Sequence, residues 1–403
     1  MESAKYVGAS QPQAERSSNS PNDDDAPDQQ LQYMGSYVQG PMSLNVSPLC
    51  NFRVPSPDFH VPPLRCSFPS LLHPHYELVK EQCDAWTLGF VQPHSPAARR
   101  LLIDCLLPRL LCRNIPIASS LCRLIQVTKM ISWLIIADDE DDRPDALGAD
   151  VAGITQSAAS VMAILRSHQD SPMTAIHGEE HQLSPKVSIG SPNKSSKTSE
   201  SKARALEALA LLWGEMHIGM PPNLRARFIS TMADYFDAIK VQATYRQVHQ
   251  LPYMEAYMDI RRQASFILPA FSLVEYAMGI ELDENVYAHP QLQEFRNTAV
   301  DYICLCNDIL SCRVEIGVGD YFNMPSIVYN TCASSTFQEA INFSASMVEE
   351  LDTRLVSMVA SIHQSSLPSL QCPSLKAYVN ALGSCMSGCL AWFLETARYN
   401  CNP

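Results

Sequence analysis

Apolar residues recur every three to four positions over long stretches of this chain, and the alternation of a half-buried strand is nowhere sustained. Leu101 to Leu111, Ala205 to Trp213, Phe228 to Ile239 and Phe337 to Val359 all carry that spacing. It places side chains along one face of a helix, so an all-α fold follows. The chain has 403 residues, 46% of them hydrophobic, which is ample for one large core. Residues 1–48 are rich in Ser, Pro, Asn, Gln and Asp and have too little apolar surface to order themselves. They are expected to form a disordered tail ahead of a single domain spanning 49–403. A polar stretch at about 168–201 interrupts the helical pattern, as a long flexible loop or a regulatory insert.

The formal charge is −13, and no basic stripe with interleaved aromatics is present, which argues against a nucleic-acid partner. The first residues, Met-Glu-Ser-Ala-Lys-Tyr, contain no apolar leader core. No stretch reaches the roughly 18 apolar residues of a membrane span. A cytoplasmic protein is expected. The fourteen cysteines are scattered, with Cys304, Cys306 and Cys312 inside one predicted helix, and none forms a spaced Cys/His zinc pattern. They read as reduced core residues.

Two polar patterns stand out against this background. Asn307, Ser311 and Glu315 carry an amide oxygen, a hydroxyl and a carboxylate at four-residue intervals, which stacks them on one helix face over about 12 Å. Hard oxygen ligands of mixed charge suit Mg²⁺, which keeps room for water and substrate phosphate. The same spacing also suits a plain polar helix face. Upstream, the apolar run Trp133-Leu-Ile-Ile-Ala ends in Asp138-Asp139-Glu140-Asp141-Asp142, with Pro144 forcing the chain out of the helix soon after. Asp138 and Asp142 share a face. Read alone, the run equally suits a solvated acidic turn. Both clusters fall at helix C-termini, the later one stopped by Gly317 and Gly319, where each extra carboxylate is unfavourable by roughly 0.3–1 kcal/mol. A positive group belongs there.

The two patterns resemble the Asp-rich motif DDxxD and the motif NDxxSxxxE of class I terpene synthases, in that order. Tyr257-Met-Asp-Ile-Arg261-Arg262, followed by Pro269, resembles that family's diphosphate-sensing arginine segment. The chain closes on Trp392-Phe-Leu-Glu-Thr396-Ala-Arg398-Tyr399, similar to its terminal Arg-Tyr pair. The four motifs cover roughly residues 130–400, and the nearest likeness is to fungal and microbial sesquiterpene cyclases. The resemblance implies a single-domain helical bundle around a deep apolar cavity, with the two metal motifs facing each other across its mouth. It implies Mg²⁺, three ions by the family's habit, held by Asp138, Asp142, Asn307, Ser311 and Glu315. Arg261, Arg398 and Tyr399 would bind diphosphate, beside Asp139. By position Ala264 and Ser265 would be the linker and effector of the sensing segment. The implied reaction ionises farnesyl diphosphate and cyclises the allylic cation to a sesquiterpene hydrocarbon or alcohol. A C10 or C20 diphosphate is the alternative substrate, and a non-catalytic isoprenoid-binding protein the alternative from another class. A monomer or a homodimer suits either.

Aromatic residues beside the motifs are the candidate cavity walls, namely Trp133, Phe266 and Trp392, with Tyr302 and Phe271 behind them, because cation–π contact stabilises a desolvated carbocation by about 2 kcal/mol or more. Three positions depart from the family pattern. Val314 replaces a frequent Lys just before Glu315, and Arg313, rotated about 100° away on the helix, is poorly placed to substitute. Ala137 stands where an aromatic is common and is expected to reshape the pocket. Phe266 intrudes into the apolar volume near the expected helix break.

Overall fold

The computed structural model describes residues 52–141, 148–167, 196–332, 334–365, 367 and 370–399, apart from the side chains of 139–141 and 196–199. The helices are, in chain order, α1 (Tyr76–Val91), α2 (Pro96–Asp104), α3 (Leu107–Asn114), α4 (Leu121–Asp141), α5 (Val151–Arg166), α6 (Ser196–Met216) and α7 (Pro222–Gln247). They continue with α8 (Met254–Ala264), α9 (Ile267–Met278), α10 (Glu284–Tyr287), α11 (Pro290–Gly317), α12 (Met324–Thr331), α13 (Phe337–Gln364) and α14 (Pro373–Glu395). No strand occurs among the described residues. The expected tail at 1–48, Asp142 and residues 168–195 of the polar stretch lie outside them. The remainder of that stretch is a correction: residues 196–201 are already helix α6.

Local chemistry sets most of the boundaries. Proline occupies the first turn of α2, α3, α7, α11, α12 and α14, where its missing N–H has no helical partner to lose. Asp150 accepts from the N–H groups of Ala152 and Gly153 to cap α5. Thr336 and Glu339 cap α13 reciprocally. Gly279, at φ 64°, ends α9. The spacing from Leu101 to Leu111 predicts one continuous helix, but the chain breaks at Leu106, whose φ is 55°. Pro108 has no N–H to donate back to Asp104, so the helix must restart. Leu101, expected on the apolar face, is 61% exposed as a result.

Helix α11 is buried over nearly its whole circumference and packs against α13 and α14, as a central helix must. Two neighbouring arginines fix α8 against it. Arg262 forms a two-pronged pair with Asp301, both bonds 2.9 Å, and the adjacent Arg261 reaches Asp308, seven residues or about two turns further along α11.

Helix α14 is, among the described residues, the one long and apolar enough to cross a membrane, yet 67% of its apolar window is buried inside the bundle. It is a core helix. Two glycines let its neighbours come close. A Cβ at Gly383 would stand 2.7 Å from the Phe68 ring, and one at Gly388 would stand 2.4 Å from Asn114 Oδ1.

Ahead of α1, residues 52–75 form a non-helical strap across the C-terminal helices. Arg53 exchanges hydrogen bonds with Asn330 at 2.7 and 3.1 Å. Arg65 accepts from the Tyr302 hydroxyl at 2.7 Å, and Ser67 binds Asp352 through N–H and hydroxyl at 2.8 and 2.6 Å. Pro69 accepts from Ser387 at 2.8 Å. These bonds give an extended segment partners for backbone groups that a strap without a sheet would otherwise leave unmet.

Candidate active site

The polar face of α11 is organised from its buried side. Asp308 is 1% exposed and its carboxylate accepts from the Tyr257 hydroxyl, from Arg261 Nε at 2.9 Å and from the Met324 N–H at 3.1 Å. Those bonds tie α8 and the start of α12 to α11. Arg261 then reaches on to Asn307 Oδ1 at 2.7 Å, while Asn307 Nδ2 donates to the Tyr399 hydroxyl at 3.0 Å. One amide thus joins the expected sensor arginine to the expected terminal tyrosine. Ser311 donates to the Asn307 carbonyl at 2.7 Å. One turn further, Glu315 Oε2 accepts from Asn323 Nδ2 at 2.8 Å. Asn323 is wholly buried and caps α12 through its own oxygen.

Across the mouth, Asp138 stands near the end of α4, and its Oδ1 accepts from the Tyr235 hydroxyl of α7 at 2.6 Å. The Tyr235 ring meets Phe266 edge-to-face at 5.5 Å. Asp142 and the Asp139 side chain lie outside the described residues. Phe266 sits between α8 and α9 with φ 61°, a left-handed conformation that disfavours a side chain by about 1–2 kcal/mol. The break falls where the sequence places it, and Ser265 lines the cavity there.

Arg398 and Tyr399 lie on a single 3-10 turn, Ala397–Tyr399. Tyr399 is 9% exposed and packs edge-on against Trp392 and Phe393, at 6.0 and 5.7 Å. The Thr396 hydroxyl and Trp392 Nε1 both donate to the Cys105 carbonyl, at 3.0 and 2.7 Å. The turn is a packed element rather than a frayed end.

Below this polar rim is a cavity with about 1150 Å³ of atom-free space, its open mouth included, whose walls come from α3, α4, α7, α8, α9, α11 and α14. Asp138, Arg261, Asn307, Arg398 and Tyr399 all border it. So do Phe266, Phe271 and Trp392, as expected.

Trp133 is a correction. It is 4% exposed and its Nε1 donates to the Ala205 carbonyl of α6 at 2.7 Å, outside the cavity. The α4 residues that line the cavity are Val127, Ile131, Leu134, Ile135 and Asp138, and two residues past Ile131 turn a side chain about 200° away. Tyr302 is likewise core, holding the strap. Ala137 does not border the cavity among the described residues. Arg313 donates to the Phe59 carbonyl and lies over its ring at 4.9 Å, so it anchors the strap and leaves the position of Val314 uncompensated.

The electrostatics favour a cation. Burial first, then the nearby carboxylates of Asp320 and Asp308, push the Glu315 carboxyl up to about 8. The Asn307 amide oxygen, the Ser311 hydroxyl and the Glu315 carboxylate are all hard oxygen donors, and a carboxylate crowded by its own kind gains from a divalent ion. Among the described residues no three His, Cys, Asp or Glu side chains cluster as a metal set. Asn307 Oδ1, although bonded to Arg261, keeps a second lone pair. The donor set fits Mg²⁺ or a similar hard ion. Asp308, Asn323 and Tyr235 were not legible as site residues. Asp308 sits within the motif but faces the interior, and the other two reach the site only through tertiary packing.

Oxygen-bearing helix ends and arginines ringing the mouth of an apolar cavity, in a single helical bundle, are the architecture of a class I terpenoid synthase. Residues 129–352 match the family model described as terpene synthase family 2, C-terminal metal binding, and the chain belongs to this family. It is a terpene cyclase, a lyase of isoprenyl diphosphates that uses a divalent metal. Microbial Terpene synthase-like protein 13 of Selaginella moellendorffii is 28% identical over 345 residues, covering 85% of this chain and 87% of that protein. Sesquiterpene synthase Agr3 of Cyclocybe aegerita is 33% identical over 180 residues, 44% of this chain and 49% of that protein. The crystal structure of a-eudesmol synthase shares the fold, with a TM-score of 0.65 and 17% identity over 83% of this chain and 99% of the other.

Proposed function

We propose that the chain is a Mg²⁺-dependent sesquiterpene synthase that ionises farnesyl diphosphate, cyclises the allylic cation and releases diphosphate. The observation that carries this reading is the convergence of Asp138, Asn307, Arg261, Arg398 and Tyr399 on one cavity whose remaining wall is mostly apolar. Asp138 and Asp142 on one side and Asn307, Ser311 and Glu315 on the other would hold the metal, which when bound supplies Lewis acidity towards diphosphate oxygens.

The protein's own groups do the rest. Arg261 and Arg398 offer planar, permanently charged forks to the leaving group, and Tyr399 offers one neutral donor. Ile131, Leu134, Ile267 and Val274 exclude water from the cation. The rings of Phe266, Phe271 and Trp392 present π faces or edges to the same space. A C15 chain is favoured over C10 or C20 by the relatives' names, which include the alpha-muurolene synthase of Coprinopsis cinerea, 32% identical over 44% of this chain. The same reading places the enzyme in the cytosol, where the twelve free cysteines among the described residues stay reduced. It also makes the 1–48 tail dispensable for chemistry.

The test is incubation of the purified full chain with geranyl, farnesyl and geranylgeranyl diphosphate in turn, with Mg²⁺ or with excess chelator, followed by gas chromatography–mass spectrometry. Cyclic C15 products only with Mg²⁺ are expected. Full turnover in chelator refutes the metal role, and preference for another chain length refutes the substrate.

A further inference from the structure

The cavity wall is hydrocarbon along α4 and α9, but where α3 meets α14 it carries an amide and two thiols. Asn114, the last residue of α3, is 9% exposed and borders the cavity beside Cys385 and Cys389. Its Nδ2 donates to Cys389 Sγ at 3.4 Å and its Oδ1 accepts from the same thiol at 3.7 Å. Its main-chain carbonyl accepts from the Cys385 thiol at 3.5 Å. Sulfur is a weak partner in either direction. Among the described residues the Asn114 side chain is bonded to sulfur alone, so a buried amide with two N–H groups and two lone pairs stands at the cavity wall with only weak partners. Buried polar groups in that condition are expensive unless a ligand meets them.

The placement is built into the fold. A Cβ at Gly388 would fall 2.4 Å from Asn114 Oδ1 and 2.8 Å from the α3 backbone, so only glycine at 388 lets α14 close on the amide. Cys385 and Cys389 precede Trp392 on α14, and the diphosphate-facing Arg398 and Tyr399 follow it. Asn114 therefore stands at the hydrocarbon end of the cavity, away from the leaving group.

We infer that Asn114 holds a water molecule at that end and that this water terminates the reaction, making the product an alcohol. This rests on the proposed ionisation of an isoprenyl diphosphate. One amide N–H donates to the water oxygen and the amide carbonyl takes one water hydrogen, leaving the second lone pair of the water for the cation. A carbon–oxygen bond forms with that pair, and the extra proton passes to the diphosphate released at ionisation. Substrate plus water thus gives alcohol plus hydrogen diphosphate, with no change of oxidation state. Burial pushes the Cys389 and Cys304 thiols up to about 12 and holds Cys385 well above its usual range, so these side chains stand at the cavity wall as neutral thiols.

The experiment is turnover in ¹⁸O-water by the wild-type chain, Asn114→Leu and Asn114→Ser, read as the ratio of labelled alcohol to hydrocarbon by mass spectrometry. The wild type should give chiefly alcohol with ¹⁸O in the hydroxyl. Asn114→Leu, similar in volume, should lower the ratio roughly tenfold, the worth of one good hydrogen bond, and Asn114→Ser should fall between. Hydrocarbon alone from the wild type, or an unchanged ratio in Asn114→Leu, overturns the inference. If Asn114→Leu fails to fold by circular dichroism, an unchanged ratio in Asn114→Ser overturns it. Absence of diphosphate release from every isoprenyl diphosphate by the wild type is the separate result that removes the proposed function, and this inference with it.

Discussion

Asp308→Asn separates scaffold from ligand within one motif. The carboxylate is buried and takes three donors, Tyr257, Arg261 and the Met324 N–H. Asparagine keeps one oxygen and turns an N–H₂ towards at least one of those donors. Loss of a hydrogen bond to a charged group costs about 1.5–3 kcal/mol, and stranding a buried arginine brings the total to about 3–5 kcal/mol. Arg261 retains Asn307 as a partner at 2.7 Å, which argues for the low end, about 3 kcal/mol. At about 2 °C per kcal/mol for a large domain, the melting temperature should fall by roughly 6 °C in differential scanning calorimetry without metal or substrate. Diphosphate affinity should fall too, because Arg261 loses its orientation. If Asp308→Asn melts with the wild type but loses turnover, the residue acts on the ligand directly and the scaffold argument is wrong.

Ser311→Ala should instead leave the melting temperature within about 1 °C, since its bond to the Asn307 carbonyl is to a group already bonded along the helix, while turnover and Mg²⁺ affinity by titration both drop steeply. Arg398→Lys should lose about tenfold or more in kcat/KM, because a point charge does not reproduce a planar fork on phosphate oxygens, and a wild-type rate would place the terminal turn outside the chemistry. Trp133→Phe should cost about 1 kcal/mol of stability through its lost bond to Ala205 and leave the product profile unchanged. Trp392→Phe should alter that profile, and a profile that changes in Trp133→Phe but not in Trp392→Phe would invert the assignment of the cavity wall.

How far the sequence carried can be judged residue by residue. The spacing of Asn307, Ser311 and Glu315 is a local property of one helix, and the structure presents them along it as that spacing requires. Arg261 and Tyr399 were expected at one diphosphate, and the Asn307 amide joins them. Trp133 failed because proximity in sequence to Asp138 was given more weight than angle around α4. Leu106 failed because one proline outweighed an unbroken apolar period. Asn114 carries no local signal at all. Its place in the cavity is decided by Gly388, some 270 positions away, and by how closely that glycine lets two helices approach.

The strap at 52–75 has a consequence for how the molecule is made. Helical proteins usually fold fast because their contacts are local, but this segment bonds residues 237 to 318 positions downstream. At about 5–20 residues per second of synthesis, Pro69 waits roughly 15–60 s for Ser387 to exist. Throughout that interval Phe59 and Phe68 lack the surfaces that cover them, which form only when α13 and α14 have emerged. The strap is thus among the first described residues to leave the ribosome and among the last to find its seat, and slow synthesis or a stalled C-terminus would leave its aromatic side chains open to other chains.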